Sequence, residues 1–136
     1  MIRNLLNMEK KEEKLELTRA EEEIMQILWE IKKGFVKNIV EKFPDPKPAY
    51  NTVSTIVRIL ENKGFVDHTA YGKTHEYFPL VAKDEYRKQY LNTMLNNYFG
   101  GSFRQLASFF IKHEKLDIRE LEEVLYLMKK ELEKKP

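Results

Sequence analysis

The stretch from Pro48 to Gly64 restricts the fold more than any other. Ala49, Val53, Ile56, Val57 and Leu60 fall at offsets of four, seven, eight and eleven, which is one stripe of an α-helix turned to a core. At about 100° per residue, Asn51, Thr55, Arg58 and Asn62 lie opposite that stripe. Short donors and acceptors followed by an Arg suit a major groove, where Asn pairs bidentately with adenine and Arg with guanine. The periodicity itself reports burial, so it fits an ordinary amphipathic helix equally well. The flanking sequence shifts the balance. Gly64 can take the left-handed cap that ends the helix, and Phe65 to Tyr71 and Thr74 to Leu80 then read as two strands around Gly72 and Lys73. A helix followed directly by a β-hairpin is the winged version of the helix-turn-helix.

Upstream, Thr18 and Glu21 have the spacing of a capping box, and Ile24, Ile27, Leu28 and Ile31 give the helical stripe behind it, with Met25 and Trp29 on its flank. Gly34 is expected to end this helix. A short second helix turns Val36, Ile39, Val40 and Phe43 inward and Lys37, Asn38, Glu41 and Lys42 outward. Pro44, Pro46 and Pro48 stop it. Two starts are open for the third helix: Pro48 at its first position, or Asn51 as its cap and not a base reader. These helices and the hairpin bury each other's apolar faces in one small core. Tyr71 and Lys73 sit at the hairpin tip, which is either an ordinary exposed turn or a wing laid against backbone phosphate.

The second half reads as an association region. After Lys83, the residues Tyr86, Tyr90, Met94 and Tyr98 recur every four positions beside Leu91 and Leu95. Gly100 and Gly101 break that helix, Ser102 can cap the next, and Phe103, Leu106, Ala107 and Phe110 form its inner face. A last helix from Asp117 carries Ile118, Leu121, Leu125, Met128 and Leu132 at steps of three and four. Such faces pack either into a private three-helix core or against a second copy, and their length favours a homodimer. A two-fold dimer would set two recognition helices a DNA turn or a multiple apart. The fold class is therefore mainly α with a small β-hairpin. Its parts are a charged extension over 1–16, a winged helix-turn-helix over 17–82 and a helical dimerisation region over 83–136.

Chemistry is sparse in this chain. It has no cysteine, hence no disulfide or thiolate site, which fits a reducing cytoplasm. Its three histidines, His68, His75 and His113, lie in no metal-ligand spacing, although His68 and His75 can meet across the hairpin. No phosphate loop or nucleophile motif appears. No enzyme activity, cofactor, metal site or membrane insertion is expected. The formal charge is only +2, weak for a DNA binder. Acidic residues crowd between Glu9 and Glu23, while Lys47, Arg58, Lys63 and Lys73 outnumber Glu61 and Asp67 between 47 and 75. Modest affinity per subunit would follow, with a dimer summing the phosphate contacts.

Leu17 to Trp29, Ala49 to Val66, Gly72 to Val81 and Phe99 to Phe103 together resemble the BlaI/MecI penicillinase-repressor family, in the family's order and spacing from about Leu17 to Lys130. The resemblance implies a dimeric repressor on a palindromic double-stranded DNA operator. It sets Tyr50, Asn51, Thr52, Ser54, Thr55 and Arg58 facing DNA and Lys73 on the wing. It implies a dimer interface in the C-terminal helices, where Tyr90, Met94, Phe103, Leu106, Phe110, Leu121, Leu125 and Met128 supply apolar contacts. In antibiotic-responsive members a membrane sensor protease is the implied partner, cutting between an Asn and a Phe. The aligned bond here joins Phe109 to Phe110, and the Asn is missing. Phe109 lies about 120° off the inner stripe of its helix. The cysteine cluster of copper-responsive relatives is also absent, so neither β-lactam nor copper sensing follows from the resemblance. A dimeric protein adaptor and a nonspecific DNA binder are the other classes compatible with the sequence.

Overall fold

The structure is a computed structural model that describes residues 16–136; the charged segment before Glu16 lies outside the described residues. Thr18 opens α1 (Arg19–Ile31). Its hydroxyl accepts from the Glu21 amide at 3.2 Å and the Glu21 carboxylate accepts from the Thr18 amide at 3.4 Å, the reciprocal bonding of a capping box. The helix stops at Lys32, which takes φ 73° while its amide bonds to the Leu28 carbonyl. The expected stop at Gly34 is thus two residues late. Gly34 has a different task, exchanging both backbone hydrogen bonds with Tyr77 at 2.8 and 2.9 Å. A Cβ at Gly34 would approach Ile31 Cδ1 to 2.8 Å and Asn38 Cβ to 3.3 Å, so a side chain there would need the Ile31 side chain to shift.

α2 (Val36–Lys42) is held at its start by Asn38, whose Oδ1 accepts from the Phe35 amide at 2.9 Å. Beyond its end, the Lys47 ammonium donates to the carbonyls of Glu41 and Phe43 at 2.9 and 2.7 Å, satisfying acceptors the helix leaves open. α3 (Tyr50–Asn62) follows, with extended Ala49 as its cap. The helix therefore begins neither at Pro48 nor with Asn51 as cap. The Ala49 carbonyl already accepts the first helical bond, from Val53, and Asn51 occupies the second helical position.

Gly64 (φ 83°) ends α3 as expected. Its amide bonds to the Glu61 carbonyl, and the Phe65 amide reaches back to Leu60 at 2.9 Å; this is the Schellman pattern, with Phe65 and Leu60 both buried beside it. β1 (Val66–Tyr71) pairs antiparallel with β2 (Thr74–Pro79), Tyr71 opposite Thr74. Gly72 alone of the two turn residues has positive φ, the sign pattern of a type II′ hairpin turn.

The core gathers Ile24, Met25 and Leu28 from α1, Ile39 from α2, Val53, Val57 and Leu60 from α3, and Phe65, Val66 and Tyr77 from the wing. Tyr86 joins it from α4 (Lys83–Tyr98), only 6% exposed, with its ring against Trp29 and Phe65. It does not belong to an association face with Tyr90 and Tyr98. Trp29 Nε1 also donates to the Val81 carbonyl at 2.9 Å, fixing the chain where it leaves the hairpin.

The chain divides into two compact units, one ending at Thr93 and one running from Met94 to Pro136, so the division falls within α4. The second unit holds the end of α4, α5 (Phe103–His113) and α6 (Ile118–Lys134). Gly100 and Gly101, at φ 57° and 74°, turn the chain. Ser102 then caps α5 by accepting from the Gln105 amide, and Asp117 caps α6 by accepting from that of Arg119. None of its residues is buried.

Candidate nucleic-acid interface

α3 and the wing border an open concavity of about 610 Å³. Tyr50, Ser54 and Arg58 reach it at successive offsets of four along α3. Lys37 and Asn38 enter from α2, and Lys73, Thr74, His75 and Tyr77 from the hairpin. Three cations, Lys37, Arg58 and Lys73, line the space, and among the described residues no carboxylate does. The Tyr77 phenol stays neutral there: burial raises its pKa, the Glu61 charge raises it further, and the Arg58 charge only partly opposes them.

The remaining α3 residues singled out in the sequence point to solvent. Asn51, Thr52 and Thr55 are exposed, Ser54 is half-buried and Tyr50 is 55% exposed. Thr55 Oγ1 donates to the Asn51 carbonyl at 2.9 Å, so its methyl and lone pairs are what it offers outward. Lys73 is exposed at the turn, which Thr74 braces by donating its hydroxyl to the Tyr71 carbonyl. The Tyr71 ring lies 5.9 Å from that of Phe35, linking the tip to the approach to α2.

Two of the four basic residues counted between 47 and 75 have structural work instead. Lys63 sits 2.7 and 2.8 Å from the two oxygens of Glu21, itself only 4% exposed, and Lys47 closes α2. Sequence reasoning missed Lys37, Asn38 and His75 as lining residues. Lys37 was legible as outward-facing on the second helix, but which outward face borders the wing depends on the crossing of α2 and α3.

In the C-terminal region Tyr90, Phe103, Phe110, Leu125 and Met128 are exposed, and Met94, Leu106 and Leu121 are half-buried. Phe109 packs within its own unit, 5.6 Å from Phe99 and 4.4 Å from His113 between ring centres. The Phe109–Phe110 bond lies inside α5.

The histidines of the hairpin do meet: His68 and His75 stack at 3.9 Å with 6° between their planes. Among the described residues, one group of side chains brings possible metal ligands together, Glu61, Asp67 and His68, with ligand atoms within 4.8 Å of one another. Glu61 was invisible to a search of the strands because it comes from the last turn of α3.

Residues 17–130 match the family model described as penicillinase repressor. The chain belongs to the penicillinase repressor family. The match spans from the cap of α1 into α6 and so includes every element that borders the concavity. Among members of the penicillinase repressor family, the methicillin resistance regulatory protein MecI of Staphylococcus aureus strain N315 is 29% identical over 116 residues, 85% of this chain and 94% of that protein. The penicillinase repressor of Staphylococcus aureus is 26% identical over 111 residues, covering 81% and 88%. That of Bacillus licheniformis is 19% identical over 121 residues, covering 88% and 94%. As a penicillinase repressor family member the chain is a DNA-binding regulator of the BlaI/MecI type. Among its described residues no helix is long and apolar enough to cross a membrane.

Proposed function

We propose that this protein is a homodimeric transcriptional repressor that occupies a palindromic operator and leaves it when the dimer is weakened. The observation that carries the reading is the concavity between α3 and the wing, lined by Arg58, Lys37 and Lys73 and, among the described residues, by no carboxylate. In this reading Asn51, Thr52, Ser54, Thr55 and Arg58 face base edges and Tyr50 packs at the groove wall. Lys73 from the wing and Lys37 from α2 hold phosphate on either side. The C-terminal helices join two copies, and each copy reads one half-site.

The inducing signal enters through the dimer. A cut at Phe109–Phe110 would sever α5, but this bond lacks the Asn of the antibiotic-responsive pattern, and Phe109 is engaged with Phe99 and His113. Release by a sensor protease therefore requires local unfolding of α5 before cleavage.

The deciding experiment is selection of duplexes from a random pool by the purified protein in moderate salt with excess competitor. The reading expects a two-fold palindrome with half-sites spaced by helical turns. Retained sequences with no common pattern would reduce the protein to a nonspecific binder. No retention at any salt would favour an adaptor that keeps the winged fold for protein contacts.

A further inference from the structure

We propose that Glu61, Asp67 and His68 form a binding site for a divalent transition-metal ion, zinc by the chemistry of the donors, joining the last turn of α3 to the first strand of the wing. Glu61 comes from the helix, and Asp67 and His68 are adjacent on β1. A strand normally turns neighbouring side chains to opposite faces. Here the Asp67 carboxylate bends back to accept from the His68 amide at 2.8 Å, which brings it to the same side as the ring. His68 Nδ1 points at Glu61 Oε1 in direct contact. The three potential ligand atoms lie within 4.8 Å of one another.

One imidazole nitrogen and two carboxylate oxygens are a donor set that zinc accepts in three-ligand sites, with bonds of about 2.0–2.2 Å. Tetrahedral neighbours at such distances are about 3.4 Å apart. Filling the site thus needs the Glu61–His68 contact to open and the widest separation, at most 4.8 Å, to close by up to about 1.4 Å. Side-chain rotations suffice for that, because Glu61 and His68 are half-buried and Asp67 is exposed. Harder cations such as magnesium prefer all-oxygen shells with several waters, so the ring nitrogen selects against them. The parallel ring of His75 stacks on that of His68. Without a cation the Glu61 carboxylate meets His68 Nδ1 directly.

Bound metal would clamp the C-terminal end of α3 to the first strand of the wing. The test is calorimetric titration of zinc chloride into the metal-stripped full-length protein in a buffer that does not bind zinc. The expected result is saturation at one ion per chain. His68→Ala should abolish it, and Glu61→Gln and Asp67→Asn should each weaken it by more than about tenfold. His113→Ala should leave it unchanged. The far-ultraviolet circular dichroism of each variant is recorded without metal, and exposed Asp67 keeps the test decisive if Glu61→Gln disturbs the helix end. Absence of saturable heat would overturn the proposal, as would binding that survives His68→Ala or disappears with His113→Ala.

Discussion

Lys63 shows how misleading a charge count along the sequence can be. Its position just after α3 suggests a phosphate contact, yet its ammonium is spent on the buried carboxylate of Glu21 at 2.7 Å and on the Glu16 carbonyl at 3.4 Å. Burial alone would raise the Glu21 pKa. The hydrogen bond from Lys63, those from Thr18 and the Lys63 charge outweigh it and hold the carboxyl below its ordinary value. A depressed folded pKa means stability that is present above the ordinary carboxylate value and lost as pH falls. Acid unfolding curves should therefore steepen below about pH 4.5, and Glu21→Gln should flatten that limb. Lys63→Met leaves the carboxylate buried without its cation and should cost about 1–3 kcal/mol in urea unfolding at neutral pH. At the opposite end of the scale, burial first and the Glu22 charge second raise the Tyr86 phenol to about 12. Because the folded pKa is raised, this contribution is complete below pH 10 and is lost as pH climbs from there towards 12. In the proposed reading Arg58 and Lys73 remain for DNA. Arg58→Ala should cost about 1–3 kcal/mol of operator binding while sparing random duplex if it pairs with a base. Lys73→Ala should weaken every duplex alike and reduce the salt slope by about one. Binding curves at several salt concentrations read both, and an unchanged slope in Lys73→Ala would remove the wing from the contact.

The elements were legible wherever one apolar stripe met one solvent face. The capping box at Thr18, the apolar face of α3, the left-handed cap at Gly64 and both strands follow from spacing and turn chemistry, since each is set by residues a few positions apart. What escaped depends on contacts between distant segments. Gly34 looked like a helix stop because glycine usually is one; its partner Tyr77 is set by how the hairpin folds back. Tyr86 looked like one rung of an aromatic ladder, but the Trp29 bond to Val81 brings the start of α4 against the core and buries it. Likewise the candidate interface was half legible: periodicity found the outward face of α3, whereas the approach of Lys37 and His75 to Arg58 required the packed fold. The cap of α3 offers a clean test of local chemistry. At Gly64 an added Cβ meets nothing within 4 Å, so the penalty of a side chain there is purely conformational. Gly64→Ala should destabilise by about 1–2 kcal/mol, seen as a lower urea midpoint with an unchanged slope. A larger loss would mean that the helix end and the Phe65 anchor shift together.

At the scale of the whole molecule the two units differ in what they bury. The first has its own core from Ile24 to Tyr86, while in the second Phe103, Ile118, Val124, Tyr126, Leu127 and Leu132 all stand in solvent. An apolar surface of that extent is normally an interface, and the two-fold readout proposed above requires one. Sequence alone showed that these faces exist but could not assign Tyr86, and the difference decides where the chain can be cut. Ending it at Val81 would take Tyr86 out of the core and expose Trp29 and Phe65. Ending it at Thr93 keeps the first unit and all of the concavity. The chain ending at Thr93 should sediment as a monomer at concentrations where the full chain is a dimer, with the thermal transition of the first unit retained. Its operator affinity should fall by about 10²–10⁴-fold, because the second half-site is no longer held at the effective concentration that a dimer supplies. Binding of a single half-site should change far less. A dimeric first unit in the same sedimentation experiment would move the interface away from α5 and α6, and their exposed faces would then need a partner other than a second copy.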